Sequence, residues 1–420
     1  MHLVHRHTCR VCGSAALTPV IDLGPQYLQG SFFKPGKETP PLRRIPCTLV
    51  RCNPMLDEKA CGLLQMAHSV PPEILYSAYW YRSGTNATMR NHLDAIAREA
   101  SVTVRVQDAT VLDIGCNDGT LLKAYPASFR KFGVDPSDVA SEVGDGITVV
   151  QDLFPSLELA QRMGGRKADI VTSIAMFYDL EAPVAFASAI RDILAPDGIW
   201  ILEMSYMPRM LEMNSYDTIC HEHLEYYSLT VIEKIVARAG LKVVRIEQND
   251  INGGSLRCYV AHAACMAHKR ETWQSELRRM RQDEFDLELD TDKPYRSFQD
   301  RINVHRDQLL GLLKRLRGEG KRIHIYGAST KGNTILQWCG IDQRIIDCAA
   351  ERNPDKFGAR TLGTEVPIVS EEESRSQKPD YYLVLPWHFQ EEFLQREKAM
   401  LEAGTGFIFP LPEVRIIQGA

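Results

Sequence analysis

The stretch Val111-Leu-Asp-Ile-Gly115-Cys-Asn-Asp-Gly119-Thr-Leu-Leu decides the fold, because an apolar run passes through a glycine-bearing turn into a helical pattern. A strand, a turn and a helix in this order form the edge at which an open α/β sheet binds a cofactor. A tight connection without any ligand is the alternative. The spacing differs from the G-x-G-x-x-G pattern of dinucleotide sites, and Asp113 and Asp118 would repel a pyrophosphate.

Acidic groups at this turn favour a cationic ligand that carries an amino group and a sulfonium. Phe132-Gly-Val-Asp135 ends the next strand with a carboxylate that can accept both hydrogen bonds of a ribose diol. Gln151-Asp-Leu-Phe154 follows the third strand and is a candidate for holding adenine. We therefore predict an S-adenosylmethionine site. Its candidate residues are Asp113, Gly115, Asn117, Asp118, Gly119, Asp135, Asp152 and Leu153.

Outward from this turn, apolar strand-like runs alternate with helical stretches, which predicts parallel strands joined by crossover helices. The central runs are Thr110 to Ile114, Lys131 to Val134, Thr148 to Gln151, Asp169 to Ile174, Ile199 to Met204 and Leu241 to Glu247. A charged stretch from about His268 to Arg317 predicts one or two exposed connecting helices. The alternation resumes with Arg322 to Tyr326, Ile345 to Ala350 and Tyr381 to Leu385. We predict three domains: a small metal-stabilised domain over residues 1–72, an α/β domain over 73–300 and a second α/β domain over 301–420.

Bulk composition excludes several functional classes. The chain has 420 residues, a net charge of −5 and no basic face, which argues against a nucleic-acid partner. Its apolar runs are of strand length, so no membrane association is expected. The start of the chain carries no apolar stretch of signal-peptide length, and eleven cysteines, an odd number, indicate reduced thiols in a cytoplasmic enzyme. The composition is compatible with a monomer.

Four cysteines form a candidate zinc site. Cys9 and Cys12 have the spacing of a zinc knuckle, because two intervening residues let both sulfurs face one ion. The second pair is expected at Cys52 and Cys61, although eight residues separate them, and Cys47 is the spare candidate. Four thiolates leave no open position on the ion, so such a zinc would be structural. Unrelated buried thiols are the alternative.

The segment from Tyr216 to Ser228 concentrates two imidazoles, His221 and His223, with carboxylates and phenols just after the fifth strand. An imidazole is the natural base at neutral pH, since its unperturbed pKa is about 6.5, and an adjacent carboxylate can fix its tautomer. A metal pair and a plain hydrogen-bonded loop are the alternatives. In the last domain, Lys331 stands in the first turn of a helix, where it opposes the helix dipole and suggests a bound anion rather than a solvated side chain.

Several motifs together resemble the sugar C-methyltransferases of deoxysugar biosynthesis. The motifs are Tyr79-Trp-Tyr81-Arg-Ser-Gly, Asp113 to Gly119, Cys220 to Tyr227, Asn252 to Arg257, Tyr326 to Lys331 and Leu385 to Phe389. The resemblance covers essentially the whole chain. It implies a zinc-binding domain, a central class I adenosylmethionine-dependent methyltransferase domain of Rossmann-like fold, and a C-terminal α/β Rossmann-like domain that helps to hold a nucleotide sugar.

The resemblance also implies roles for individual residues. Glu222 and His223 match the family's carboxylate and general base, and Tyr79 or Tyr81 matches a phenol in the sugar pocket. Residues expected to contact the nucleotide sugar are His221, Asn252, Arg257, Ser329, Lys331, Asn333, Arg352, Trp387 and His388. Two positions depart from the family pattern: Cys220 replaces a tyrosine, and Met176-Phe177-Tyr178 replaces a histidine-bearing segment. Tyr178, Tyr226 and Tyr227 are therefore further candidates for the phenol.

The predicted reaction is methylation of C3 of a dTDP- or GDP-linked 4-keto-6-deoxyhexose. A ketone acidifies the neighbouring C–H because the charge delocalises onto oxygen, so His223, helped by Glu222, can generate an enolate. C5 methylation and O-methylation are the alternatives within the class. A nucleic-acid methyltransferase would lack its basic face here, and a non-catalytic scaffold would have no use for a histidine flanked by carboxylates.

Overall fold

The computed structural model describes residues 3–75 and 82–419. The N-terminal part is built mainly from strands, two long ones and several of two or three residues. Its elements are β1 (Val4–His5), β2 (Leu17–Gln26), β3 (Phe32–Phe33), β4 (Ile45–Cys52), β5 (Leu64–Met66), β6 (His68–Ser69) and the short helix α1 (Pro72–Leu75). Strands β2, β4 and β5 form an antiparallel sheet in which the central strand β4 is buried along most of its length.

The central part alternates strands and helices as the sequence predicts. Its elements are α2 (Ala87–Val104), β7 (Thr110–Ile114), α3 (Thr120–Ala124), β8 (Arg130–Val134), β9 (Thr148–Val150), α4 (Leu157–Met163), β10 (Ala168–Ile174), α5 (Pro183–Ile193), β11 (Leu194–Ser205), α6 (Met207–Glu212), β12 (Glu225–Tyr226), α7 (Leu229–Arg238), β13 (Leu241–Asn249) and β14 (Ser255–His262). Neighbouring residues such as Val111 and Leu112 belong to two different hydrophobic clusters, so both faces of this sheet are covered.

The central sheet has the strand order β13-β14-β11-β10-β7-β8-β9. Strands β11, β10, β7, β8 and β9 are parallel, while β14 runs antiparallel to both of its neighbours. This is the seven-stranded arrangement of a class I methyltransferase, and the predicted fold class is confirmed. The sequence reading missed β14, whose polar residues Arg257 and Ser255 interrupt the apolar pattern.

Two helices, α8 (Glu271–Asp286) and α9 (Lys293–Gly318), follow the central sheet. The expectation that they are exposed connectors was wrong. Helix α9 buries a stripe that includes Phe298, Ile302 and Leu309, and this stripe shares one core with Ile21 of β2 and with the C-terminal sheet. Its Pro294 lies in the first turn, where a missing amide hydrogen does no harm, so the helix is continuous.

The C-terminal part is a second α/β unit. Its elements are β15 (Ile323–Tyr326), α10 (Thr330–Cys339), β16 (Cys348–Glu351), β17 (Arg360–Thr361), β18 (Ile368–Ser370), α11 (Glu371–Ser376), β19 (Tyr381–Val384), α12 (Gln390–Arg396), α13 (Lys398–Glu402), β20 (Gly406–Phe409) and β21 (Arg415–Ile417). The sheet order is β18-β16-β15-β19-β20-β21, parallel except for β21.

Two short strand pairs cross between parts of the chain. Strand β12 pairs with β5 and thereby becomes an edge of the N-terminal sheet, and β3 pairs with β17 of the C-terminal part. The loop from Tyr216 to His223 directly precedes β12. It is therefore held between all three parts of the molecule.

Candidate active site

The four predicted cysteines converge at one point of the N-terminal part. Cys9 Sγ lies 3.4 Å from Cys61 Sγ, Cys12 Sγ lies 3.4 Å from Cys52 Sγ, and all four sulfur atoms fall within 4.8 Å of one another. Tetrahedral zinc–thiolate bonds of about 2.3 Å would separate the sulfurs by roughly 3.8 Å, so the donor set fits zinc. Cys47 lies elsewhere, near the side chain of Gln29 and the carbonyl of Ile219.

Basic side chains of α7 brace this cluster from outside. Lys234 donates to the carbonyl of Cys61 at 2.9 Å, and Arg238 donates to the carbonyl of Val11 at 3.2 Å. The cluster is thereby fixed to the helix that follows the Tyr216 to Ser228 segment. A metal at this position would stiffen the N-terminal sheet together with its attachment to the central part.

The predicted cofactor turn lies at the carboxyl end of β7. Gly115 and Gly119 both have positive φ, 75° and 71°, which a residue with a side chain rarely adopts. Asp113 is buried and accepts a hydrogen bond from the hydroxyl of Thr172 at 2.6 Å. Burial raises the pKa of Asp113 to about 7. The turn is therefore narrow, and its backbone faces the edge of the sheet.

The other acidic residues of the turn are engaged by protein donors. Asp135 accepts from the Asn117 amide at 2.9 Å and from the amide and hydroxyl of Ser137. Asp118 accepts from the amide of Gly84 at 2.7 Å, so the segment after residue 81 lies over the turn. Asp152 and Leu153 are exposed after β9, and the Leu153 side chain is 55% exposed.

His221 is held inside the protein. Its Nδ1 lies 2.7 Å from Gln29 Oε1 and its Nε2 lies 3.3 Å from the carbonyl of Ile45. Its backbone amide donates to the same Gln29 oxygen at 3.2 Å. Burial lowers the pKa of His221 to about 4, so the ring is neutral at pH 7. A neutral imidazole has one N–H, so the ring can donate to only one of these two oxygens, and the shorter contact, to Gln29, fixes the loop against the N-terminal part.

Glu222 fits its position because residue 30 has no side chain. A Cβ at Gly30 would overlap Glu222 Oε1 and would lie 3.2 Å from Glu222 Cδ and 3.4 Å from Thr330 Oγ1. Burial raises the pKa of Glu222, and the second oxygen, Oε2, has no hydrogen-bond partner among the described residues. Glu222 thus sits where the N-terminal part, the loop and α10 meet.

His223 is oriented as a base. Its Nδ1 lies 2.7 Å from the carbonyl of Thr218, which accepts only from a protonated nitrogen, so Nε2 carries the lone pair. Its ring lies 4.3 Å from the ring of Tyr178, centroid to centroid. Burial and then the charge of Lys331 lower the pKa of His223 to about 4. The side chain is only partly buried and is a neutral imidazole; the region between His223, Lys331 and His388 is called the cleft below.

Residues of the C-terminal part line the same cleft. Lys331 Nζ donates to the carbonyl of Asn252 at 2.7 Å, and Trp387 donates to Asp217 at 2.9 Å. Burial lowers the pKa of His388 well below its usual range, with a further contribution from the charge of Lys331. The structure therefore brings Lys331, Asn252, Trp387 and His388 together with the His223 loop.

Other predicted substrate residues serve the protein itself. Ser329 caps α10 by accepting from the Gly332 amide at 3.0 Å, and the Asn333 amide group donates to the carbonyl of Gln29 at 2.6 Å. Arg257 lies within the central sheet and pairs with Glu203 at 2.9 Å and with Glu247 at 2.9 Å.

Arg352 lies at the end of β16, where its guanidinium is 3.4 Å from Glu371 and from Glu392.

The tyrosine candidates separate into three groups. Tyr79 and Tyr81 lie outside the described residues. The Tyr226 hydroxyl points to the Thr218 carbonyl at 3.5 Å, and the Tyr227 hydroxyl donates to Glu225 at 2.7 Å. Tyr178 contacts the ring of His223, so of the described candidates it is the phenol beside the base.

Sequence reasoning missed four residues that shape the site: Gln29, Gly30, Asp217 and Thr218. The first two belong to the N-terminal part and meet the loop only through tertiary packing. Asp217 and Thr218 were inside the segment singled out, and a 3₁₀ turn at Tyr216–Thr218 places them beneath His223. The only sequence signal for Gln29-Gly30 was a polar-glycine pair between two apolar runs.

Three family models match the chain in succession. They describe a zinc binding domain at residues 9–76, a methyltransferase domain at 85–246 and a C-methyltransferase C-terminal domain at 250–412. C-methyltransferase NovU from Streptomyces niveus is 29% identical over 416 residues, which cover 97% of this chain and 96% of that protein. Along most of its length the chain is therefore similar to C-methyltransferases. The resemblance drawn from the sequence motifs is thereby confirmed.

Among solved structures, a S-adenosylmethionine-dependent methyltransferase from Clostridium acetobutylicum is 12% identical with a TM-score of 0.34, covering 42% of this chain and 92% of that one. Magnesium protoporphyrin IX methyltransferase from Synechocystis, with bound S-adenosylmethionine, is 17% identical with a TM-score of 0.32, covering 41% of this chain and 79% of that one.

The enzyme is a S-adenosylmethionine-dependent methyltransferase with a zinc-binding domain, and both predicted cofactors are confirmed. Among residues 3–75 and 82–419, no helix has the length and apolarity needed to cross a membrane.

Proposed function

We propose that this C-methyltransferase methylates C3 of a dTDP- or GDP-linked 4-keto-6-deoxyhexose through an enolate that His223 generates. The observation that carries the proposal is the state of His223. Its Nδ1–H is bound to the Thr218 carbonyl, its Nε2 carries a lone pair, and its side chain faces the cleft. The same proposal includes the residue assignments and the domain boundaries at 72 and 300. It also includes a monomeric cytoplasmic enzyme without nucleic-acid partners.

Methylation at carbon requires this kind of group. A saturated carbon has no lone pair, so a proton must leave before the carbon can attack an electrophile. Next to a ketone, the electron pair of the broken C–H bond delocalises onto the carbonyl oxygen, and a neutral imidazole can accept the proton. A hydroxyl oxygen already carries lone pairs, and a histidine could also take its proton, so the geometry of His223 fits both reactions. The similarity to C-methyltransferases supports carbon as the methylated atom.

The remaining residues position the reaction. The turn from Asp113 to Gly119 and Asp135 would hold S-adenosylmethionine, which supplies an electrophilic methyl group when bound. Glu222, raised in pKa by burial, faces the same cleft as His223 and can hydrogen-bond a sugar hydroxyl beside the ketone. Confinement of both substrates between the central and C-terminal parts supplies orientation.

The test is mass spectrometry of the protein incubated in deuterated water with S-adenosylmethionine and either dTDP- or GDP-4-keto-6-deoxyhexose. We expect one added methyl and, without the methyl donor, solvent deuterium at C3. His223→Gln should abolish both while S-adenosylmethionine still binds. Deuterium and methyl at C5 would support the other ring carbon, and methylation of a hydroxyl without any exchange would refute the enolate.

A further inference from the structure

Lys331 stands in the first turn of α10, where the sequence predicts a cradle for phosphate. The groups that should complete such a cradle are engaged within the protein: Ser329 caps its own helix, and Asn333 binds the backbone of Gln29. The ammonium reaches across the cleft and donates to the carbonyl of Asn252. That bond holds the ammonium beside Asn252, in the segment between β13 and β14.

Lys331 lies among buried titratable groups. Asp217, buried and adjacent, raises its pKa while burial, the larger effect, lowers it. Its charge in turn acts on His223 and on His388. An ammonium has three donors, and the Asn252 carbonyl is the single acceptor found for it among the described residues. Two N–H groups thus remain available to a ligand in the cleft.

Unpartnered polar atoms around the same point indicate that a polar ligand belongs there. Asp217 Oδ1, Glu222 Oε2 and His388 Nδ1 are buried without a hydrogen-bond partner within the described part of the chain. A buried polar atom left unpaired costs about 1–3 kcal/mol, so such atoms concentrate where a substrate supplies the partner. These three atoms belong to the loop of His223 and to the segment after β19.

We infer that Lys331 is a catalytic residue that binds the substrate's keto oxygen and stabilises the enolate. The inference rests on the proposed function. When His223 Nε2 takes the proton, the C–H electron pair forms the C=C bond and the carbonyl π pair moves to oxygen, where the ammonium of Lys331 faces the new negative charge. As the carbon bonds to the methyl group, the S–CH3 bond of the donor would break with its electron pair left on sulfur, and the C=O bond would form again. The proton held by His223 would then pass to water, and no proton needs to leave Lys331. Asp217 opposes the loss of this charge, because its carboxylate raises the pKa of Lys331 against the effect of burial.

Lys331 also affects the pKa of the base, His223. The titratable groups around His223 are Tyr178 after β10, Asp217, Cys220 and Glu222 of its own loop, Lys331 of α10 and His388 after β19. Of these, Lys331 lowers the pKa of His223. Loss of its charge should therefore raise that pKa and move the acidic limb of kcat/KM to higher pH.

The experiment compares Lys331→Met with the wild type and with Lys321→Met, whose lysine lies before β15 and pairs with Asp380. Loss of an oxyanion donor predicts a fall of about 10²–10³ in kcat and in the rate of deuterium exchange at C3. The acidic limb of the kcat/KM profile should shift to higher pH. The Kd for dTDP and GDP, measured by calorimetry, should change by less than about threefold. Lys321→Met should leave all three readouts unchanged.

Two results would overturn the assignment. In the first, Lys331→Met exchanges deuterium at the wild-type rate but binds dTDP or GDP more than about tenfold more weakly, which would indicate that the lysine binds the diphosphate. The other is a slowed reaction with an unmoved pH limb, which would indicate a structural role. Lys331→Gln and S-adenosylmethionine binding by each variant test whether the fold is intact. Absence of exchange in the wild type would instead refute the proposed function.

Discussion

Gly30→Ala should displace Glu222 without disturbing the rest of the chain. The added Cβ would overlap Glu222 Oε1 and would lie 3.2 Å from Cδ, tighter than ordinary packing. Residue 30 does not have a left-handed backbone, so alanine itself is tolerated there. To restore a normal contact, the carboxylate must retreat by about 1 Å, and a displacement of that size in an active site lowers kcat by about 100-fold.

A shorter acid at residue 222 should make the chain insensitive to the added methyl group at residue 30. Glu222→Asp withdraws the carboxylate by about one C–C bond, so this variant alone should also lose activity. The double variant Gly30→Ala/Glu222→Asp should be no slower than Glu222→Asp alone, because the shorter side chain leaves room for the methyl group. The two changes would then be strongly non-additive, as expected for residues in contact.

The assay is steady-state methyl transfer with deuterium exchange as a second readout. Gly311→Ala in α9 is the matched control, since a Cβ there meets no atom within 4 Å. It should leave kcat unchanged and stabilise the helix by about 0.5–1 kcal/mol. Wild-type kcat in Gly30→Ala, or strictly additive losses in the double variant, would refute the idea that residue 30 makes room for the carboxylate.

Two further predictions concern the metal and the response to acid. Removing zinc with a strong chelator, or replacing Cys61 by Ser, should abolish methyl transfer while S-adenosylmethionine binding persists, because the N-terminal part holds Gln29 and Gly30 against the loop. Metal analysis, calorimetry and activity assays measure these effects. Full activity of the metal-free protein would contradict the prediction. Burial lowers the pKa of His221 and of His324 to about 4, from an unfolded value of 6.5, so the unfolded chain binds protons that the folded chain does not as pH falls from 6.5 toward 4. The free energy of unfolding should then drop by up to ~3 kcal/mol for each histidine. Urea unfolding at several pH values should show a weaker drop for His324→Gln than for the exposed-site control His7→Gln, and equal drops would contradict the assignment.

The order of elements was readable from the sequence wherever local patterns control it. The turn at Gly115 and Gly119 and the strands around it follow from apolar runs and from glycines that must have positive φ. The strand β14 was missed because its buried Arg257 is neutralised by Glu203 and Glu247, and those partners come from other strands. Likewise, α9 has a polar composition that hides one buried face.

In the candidate site, too, local sequence predicts some features and long-range packing determines others. His223 and Glu222 stand out in sequence because acids and imidazoles are concentrated there. The bond that fixes the His223 tautomer comes from a backbone carbonyl, which no residue type reveals. The hydrogen bond from Lys331 to the carbonyl of Asn252 depends on how the central and C-terminal parts of the chain pack. Long-range packing, rather than local propensity, determines these features.

The pairing of β12 with β5 bears on how the chain is made. During synthesis, the N-terminal segment leaves the ribosome about 150 residues before its edge partner, at rates of about 5–20 residues per second. For roughly 8–30 s, β5 would present an open strand edge, which is prone to pair with other chains. Zinc bound to the cysteine cluster would keep the rest of the N-terminal sheet folded while that edge waits for β12. Expression in zinc-poor medium should therefore increase aggregation of nascent chains rather than of the finished protein.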